Sequence, residues 1–177
     1  MFRLGVEGEA VAVRSPEDLS GLDCLTIPGG ESTTISKLIR RFNLFDGIVE
    51  MALSGVPVMG TCAGCVLLAK EGDGEVLKTG TQQLGLMDMT VIRNAYGRQR
   101  ESFEAEVRVE GLCDPFPAVF IRAPVIEKVW GECRPLSRYE GRIVMAAQKN
   151  MLAVSFHPEL SGDTRIHEML IQMARSG

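Results

Sequence analysis

Cys62 stands in the run GTCAG at 60–64, after an apolar strand-like segment at 56–59 and before a helix-like segment at 65–70. A nucleophile on a sharp strand-to-helix turn projects above its sheet, as in the G-x-S-x-G elbow, with sulfur here replacing the hydroxyl. The glycines supply space, the helix N-terminus favours the thiolate, and the N–H of Ala63 faces a developing oxyanion. The competing reading is a buried structural cysteine, the common fate of free thiols; the flanking glycines favour the nucleophile. Cys65, one helical turn on, reads better as a small core residue. The pair also spells C-x-x-C, the spacing of a redox dithiol or half a zinc site. No second C-x-x-C or histidine pair completes such a site, so no metal and no cofactor are expected.

A cysteine mechanism that needs an imidazole has two histidines to draw on. His157 ends the apolar run 151–156 and so falls at a strand's carboxyl end, where Pro158 stiffens the exit. Glu159, two residues on, lies on the same side of an extended segment. Together they suggest a Cys62, His157, Glu159 triad, in which the imidazole takes and returns the proton and the carboxylate fixes its tautomer. The same residues read equally as a strand-end histidine followed by a solvent-exposed acid. His167, inside an amphipathic helix, is expected on the surface. PGGEST at 28–33 also joins a strand to a helix, so its amides could complete an oxyanion hole or hold a carboxylate; a structural turn is the alternative. Arg93 and Arg122 each follow a strand-like run and could grip a substrate carboxylate, or simply be exposed arginines.

The elements that must position these groups follow from periodicity. A strand at 22–28 leads into the glycines, and Ser32 caps a helix whose Ile35, Leu38, Ile39 and Phe42 share one face. A second helix covers 44–53. Residues 71–83 read as a surface loop, after which strand-like runs fall at 86–92, 103–109 and 118–121. Residues 129–139 carry no clear period. Segments 142–147 and 151–156 form a hairpin around Lys149 and Asn150, and Ile166, Met169, Leu170 and Met173 mark a closing helix. This order predicts a single α/β domain over 1–177, with its site at the carboxyl ends of the strands.

Composition narrows the class of function. The 177 residues are 45% hydrophobic and 24% charged, which excludes wholesale disorder. A formal charge of -4 offers no footprint for nucleic acid or an acidic membrane, and a small ligand fits better. Five cysteines, an odd number at low density, point to a reducing compartment. No apolar run approaches a membrane span and the N-terminus carries no signal-peptide pattern, so a cytoplasmic protein is expected.

Taken together, PGGEST at 28–33, GTCAG at 60–64, RNAYGRQ at 93–99, FIRAP at 120–124 and SFHPEL at 155–160 resemble the glutaminase subunit family of pyridoxal 5'-phosphate synthase. GTCAG with a later HPE marks the wider class I glutamine amidotransferases; the other motifs narrow the resemblance, which covers nearly the whole chain. It implies a flavodoxin-like, three-layer α/β fold, with Cys62, His157 and Glu159 as the triad and Gly30 and Ala63 at the oxyanion hole. Glutamine would be bound by Gly30, Glu31, Ser32, Arg93, Ile121 and Arg122. The implied reaction is hydrolysis of L-glutamine to glutamate and ammonia through a γ-glutamyl thioester. The implied partner is a β/α-barrel synthase subunit, which joins the ammonia to ribose 5-phosphate and glyceraldehyde 3-phosphate. Members of the family are typically poor glutaminases until docked.

Two departures from the family pattern are expected to matter. The family's first strand, with its G-x-x-x-L-Q-G-like segment, and part of its first helix have no counterpart here, and the 71–83 loop is slightly longer. A misassigned start or a shortened form would account for the first. The alternatives in function are a glutaminase serving another acceptor, against which RNAYGRQ and IRAP argue, and a non-catalytic subunit that occupies the synthase.

Overall fold

The computed structural model describes residues 8–93, 95 and 102–176. Asn94, Tyr96, Gly97, Arg98 and Gln99 of the RNAYGRQ motif lie outside the described residues.

The chain runs β1 (Leu25–Ile27), α1 (Ser32–Arg41), α2 (Phe45–Leu53), β2 (Val58–Thr61), α3 (Ala63–Leu68), β3 (Ala69–Gly72) and α4 (Gly74–Lys78). It continues through β4 (Met87–Ile92), β5 (Ser102–Val107), β6 (Phe116–Ile121), β7 (Val125–Val129), β8 (Arg134–Tyr139), β9 (Arg142–Gln148), β10 (Met151–Val154) and α5 (Arg165–Ser176). The large sheet has the order β1-β2-β10-β9-β7-β4-β3, with β8 beside β9; β5 and β6 form a separate hairpin. β1, β2 and β10 run parallel, so their carboxyl ends open on one side of the molecule.

Alternation along these central strands builds two cores. Val58 and Ala153 face a core with α1, α2 and α3, while Met59, Leu152 and Val154 face one with β6 and α5. The result is three layers, helices on one face and a helix with a hairpin on the other. Phe103 stacks on Phe120 at 4.6 Å, and Phe120 meets Phe156 edge-on at 5.6 Å, which ties the hairpin to the strand that leads to His157.

Several expectations change. Glu31, not Ser32, caps α1, its carboxylate accepting from the N–H groups of Thr33 and Thr34. The buried face of α1 carries Ser32, Ser36 and Ile39, and leaves Leu38 and Phe42 exposed. Helix α3 stops at Leu68 because Ala69 turns extended to pair with Met87. The 71–83 stretch holds the end of β3 and all of α4, and Thr81 in it is buried. The unassigned 129–139 stretch holds β8. His167 is buried, correcting its expected place on the surface.

Candidate active site

Cys62 follows β2 with φ 49° and ψ −102°, a positive φ that a side-chain-bearing residue adopts only under constraint. The constraint is visible: its N–H donates to the Val154 carbonyl at 2.8 Å, and its own carbonyl accepts from Val66. Both neighbouring glycines are required by backbone contact. A Cβ on Gly60 would sit 2.4 Å from the Gly64 carbonyl oxygen, and one on Gly64 would sit 2.1 Å from that of Ile27. The GTCAG turn is thus wedged between β1 and α3.

His157 follows β10, and its N–H donates to the Val119 carbonyl of β6 at 2.8 Å. Its Nδ1 lies 2.7 Å from Oε1 of Glu159, in the short 3₁₀ turn Pro158–Leu160. With Nδ1 taken by the carboxylate, Nε2 is the ring nitrogen left for the sulfur. Hydrogen bonding to Cys62, and then to Glu159, pushes the imidazole pKa up to about 10 against the effect of burial. The Glu159 carboxyl is held below its usual range: burial opposes ionisation, and the bond to His157 overcomes it. Both contacts favour the protonated imidazole. The Cys62 Sγ also lies 3.9 Å from the Ile121 carbonyl oxygen.

A cleft of about 200 Å³ opens above the sulfur, lined by Gly30, Glu31, Ser32, Cys62, Ala63, Val66, Arg93, Ile121, Arg122, Pro124 and His157. That volume suits a small metabolite. Gly30 has φ +142°, which L side chains rarely adopt, and Arg122 is held at φ 42°. Arg93 places Nη2 3.3 Å from the Glu31 carboxylate. Burial tends to raise the Glu31 carboxyl, but hydrogen bonds from Thr34 and Thr33 carry it down to about 2. The mouth of the cleft thus holds the Arg93 cation beside the Glu31 anion, with the Cys62 sulfur at its floor.

A profile of the SNO glutamine amidotransferase family matches residues 3–176. The chain belongs to that family. It is 51% identical over 174 residues to the pyridoxal 5'-phosphate synthase subunit PdxT of Archaeoglobus fulgidus, covering 98% of this chain and 87% of that protein. The same-named subunit of Dehalococcoides mccartyi is 52% identical over 176 residues, covering 98% and 89%. A crystal structure of a glutamine amidotransferase superposes with a TM-score of 0.90 at 43% identity, covering 98% of this chain and 89% of that one. The flavodoxin-like fold expected from the motifs is that of the family.

The structure brings nine of the ten residues singled out from sequence to the cleft: Cys62, His157, Gly30, Glu31, Ser32, Ala63, Arg93, Ile121 and Arg122. The tenth, Glu159, reaches the site through the His157 ring. Cys65 lies wholly buried in the core, and burial raises its thiol pKa. Val66 and Pro124 line the cleft without having been singled out. Gly29 was read only as part of the PGGEST turn. Its absent side chain makes room for His157, since a Cβ there would lie 2.4 Å from the ring's Cε1 and 3.3 Å from the Cys62 Cβ. The doubled glycine of PGGEST is the only sequence signal for that role.

Proposed function

We propose that this chain is the glutaminase subunit of a pyridoxal 5'-phosphate synthase, with Cys62, His157 and Glu159 as its catalytic triad. The observation that carries the reading is the strained Cys62 turn, which sets the thiol in one cleft with a histidine that Glu159 backs at 2.7 Å. The names of the relatives support the biosynthetic assignment.

L-Glutamine enters as a zwitterion. Arg93, with Arg122 beside it, takes the α-carboxylate, and Glu31 takes the α-ammonium; each ion thereby exchanges a partner of like sign for the substrate's. Gly30, Ser32 and Ile121 border the bound chain. The side-chain amide then reaches the floor of the cleft. The Cys62 sulfur attacks the amide carbon, and the oxygen that gains charge is met by the N–H groups of Gly30 and Ala63. His157 gives its proton to the amide nitrogen, the C–N bond breaks, and ammonia leaves behind a γ-glutamyl thioester. A water then attacks the thioester while His157 takes its proton, releasing glutamate and restoring the sulfur. Glu159 keeps the ring oriented and steadies the imidazolium throughout.

The ammonia passes to a β/α-barrel synthase subunit in a hetero-oligomer. There it joins ribose 5-phosphate and glyceraldehyde 3-phosphate in the cytoplasm, a carbon–nitrogen assembly of lyase type. Glutamate release from glutamine, measured for the chain alone and with the synthase subunit of the same genome, tests this. Turnover that rises with the partner and disappears in Cys62→Ala is expected. Turnover that persists in Cys62→Ala overturns the mechanism. Binding to the synthase with no turnover overturns the enzymatic reading in favour of a non-catalytic subunit.

A further inference from the structure

Besides Glu31, Arg93 is held by residues that line no part of the cleft. It is the first residue after β4, and its N–H donates to Oδ2 of Asp73 at 3.0 Å. The other oxygen of that carboxylate accepts from the N–H groups of Glu75 and Val76, at 3.1 and 3.0 Å, and so caps α4. One carboxylate thus joins the end of β4 to the start of α4. At the far end of α4, Thr79 accepts from Arg93 Nη1 at 3.2 Å. Thr79 Oγ1 also lies 2.9 Å from the Glu75 carbonyl oxygen and 2.9 Å from Thr81 Oγ1, which is 2.7 Å from Thr33 Oγ1.

The direction of this chain of hydroxyls is fixed by its ends. A guanidinium can only donate and a carbonyl can only accept. Thr79 therefore turns a lone pair to Arg93 and commits its proton to the helix carbonyl. Thr81 then donates to Thr79, and Thr33 donates to Thr81. Thr33 is left with a lone pair toward Nη1 as well, at the longer distance of 3.5 Å. Every hydroxyl in the chain has its proton placed, and the two that face the arginine face it as acceptors.

We propose that Thr79 and Asp73 are positioning residues for Arg93, setting its guanidinium at the angle from which it meets the substrate carboxylate. This rests on the reading of Arg93 as part of the glutamine site. An arginine already fixed in its bound rotamer loses less freedom when the ligand arrives, so the contribution falls on capture rather than on bond breaking. α4 and the turn after it thereby act as part of the binding apparatus.

Steady-state kinetics of the complete complex with its synthase partner separate the possibilities. Thr79→Val keeps the shape of the side chain and removes both its lone pairs and its proton; because Thr79 is exposed, the variant should fold. The expected result is a KM for glutamine raised roughly threefold to tenfold, the range for one charge-assisted hydrogen bond open to solvent, with kcat unchanged. Thr79→Ser, which keeps the hydroxyl, should restore the KM. Arg93→Ala in the same assay sets the frame. If Arg93→Ala raises the KM and Thr79→Val does not, the positioning role is overturned alone. A fall in kcat at unchanged KM, or no rescue by serine, also overturns it. An unchanged KM in both variants takes Arg93 out of the substrate site and overturns the reading beneath.

Discussion

Gly29 shows how a side chain of the candidate site can depend on an atom that is not there. An alanine Cβ at this position would overlap the His157 ring, 2.4 Å from Cε1 and 3.0 Å from Nδ1, the nitrogen that Glu159 holds. The ring is the part free to yield, and in yielding it leaves both Glu159 and the sulfur. Gly29→Ala is therefore expected to lower kcat by about 10²- to 10⁴-fold, the range for loss of a positioned general acid–base. Its urea midpoint should fall as well, because the displaced ring gives up the contacts that stabilise its protonated form. An unchanged kcat would show that the imidazole need not stand where it does. Cys62, His157 and Glu159 were singled out in sequence because the first two each follow an apolar strand-like run and the third comes two residues after the histidine. Spacing left His157 and Glu159 balanced against a strand-end histidine followed by a solvent-exposed acid, and the 2.7 Å contact between their side chains is what supports the triad proposed above. His167 was misread because a polar residue beside Ile166 counts as solvent-facing in a helical pattern. In the fold it is buried, and its Nε2 has no hydrogen-bond partner among the described residues.

Helix α1 separates hydrophobic spacing from burial. Its sequence offers Ile35, Leu38, Ile39 and Phe42 as one stripe, yet Leu38 and Phe42 are 44% and 47% exposed while Ile39 is 7%. The helix is rolled because its first turn is fixed by the Glu31 cap and its Ser36 hydroxyl bonds the backbone of Gln82. These polar anchors outweigh the apolar period. Ile39→Ala should then cost about 2–5 kcal/mol, the usual range for a buried large-to-small change. Leu38→Gln should stay within about 0.5 kcal/mol. Urea denaturation of both variants checks this, and equal losses would restore the stripe read from sequence. Elsewhere the strands with a clean alternation were legible, and β8 was not. Its pairing with β9 shifts register between Pro135 and Ser137 and again between Ser137 and Arg138, which breaks the period of two. β3 was invisible for a different reason: nothing in Ala-Lys-Glu-Gly marks a strand, and only its place beside β4 makes it one.

At the scale of the molecule, the large sheet gathers the ends of β1, β2 and β10 and the separate hairpin adds the end of β6, so that Gly30, Cys62, His157 and Arg122 meet at a single mouth. Motif order predicted that convergence; the side-chain network that completes it depends on distances no spacing encodes. The same convergence links the site to stability. His157 has a folded pKa near 10, above the 6.5 of an unfolded histidine, so its contribution is fully present below pH 6.5 and is lost as pH rises toward 10. His167 has the opposite sign. Burial lowers its pKa, so the fold weakens as pH falls below 6.5. The lowered Glu159 carboxyl acts in the same direction further into acid, below about 4.5. Cys65 and Cys133, both raised chiefly by burial, add to the alkaline loss only above about 9. The window from pH 6.5 to 9 therefore isolates His157. The thermal midpoint of the parent chain should fall across that window. In Cys62→Ala the fall should be shallower, because the hydrogen bond to Cys62 is the largest of the effects that raise the His157 pKa. Parallel curves for the two proteins would mean that the imidazole does not hold its proton through the sulfur.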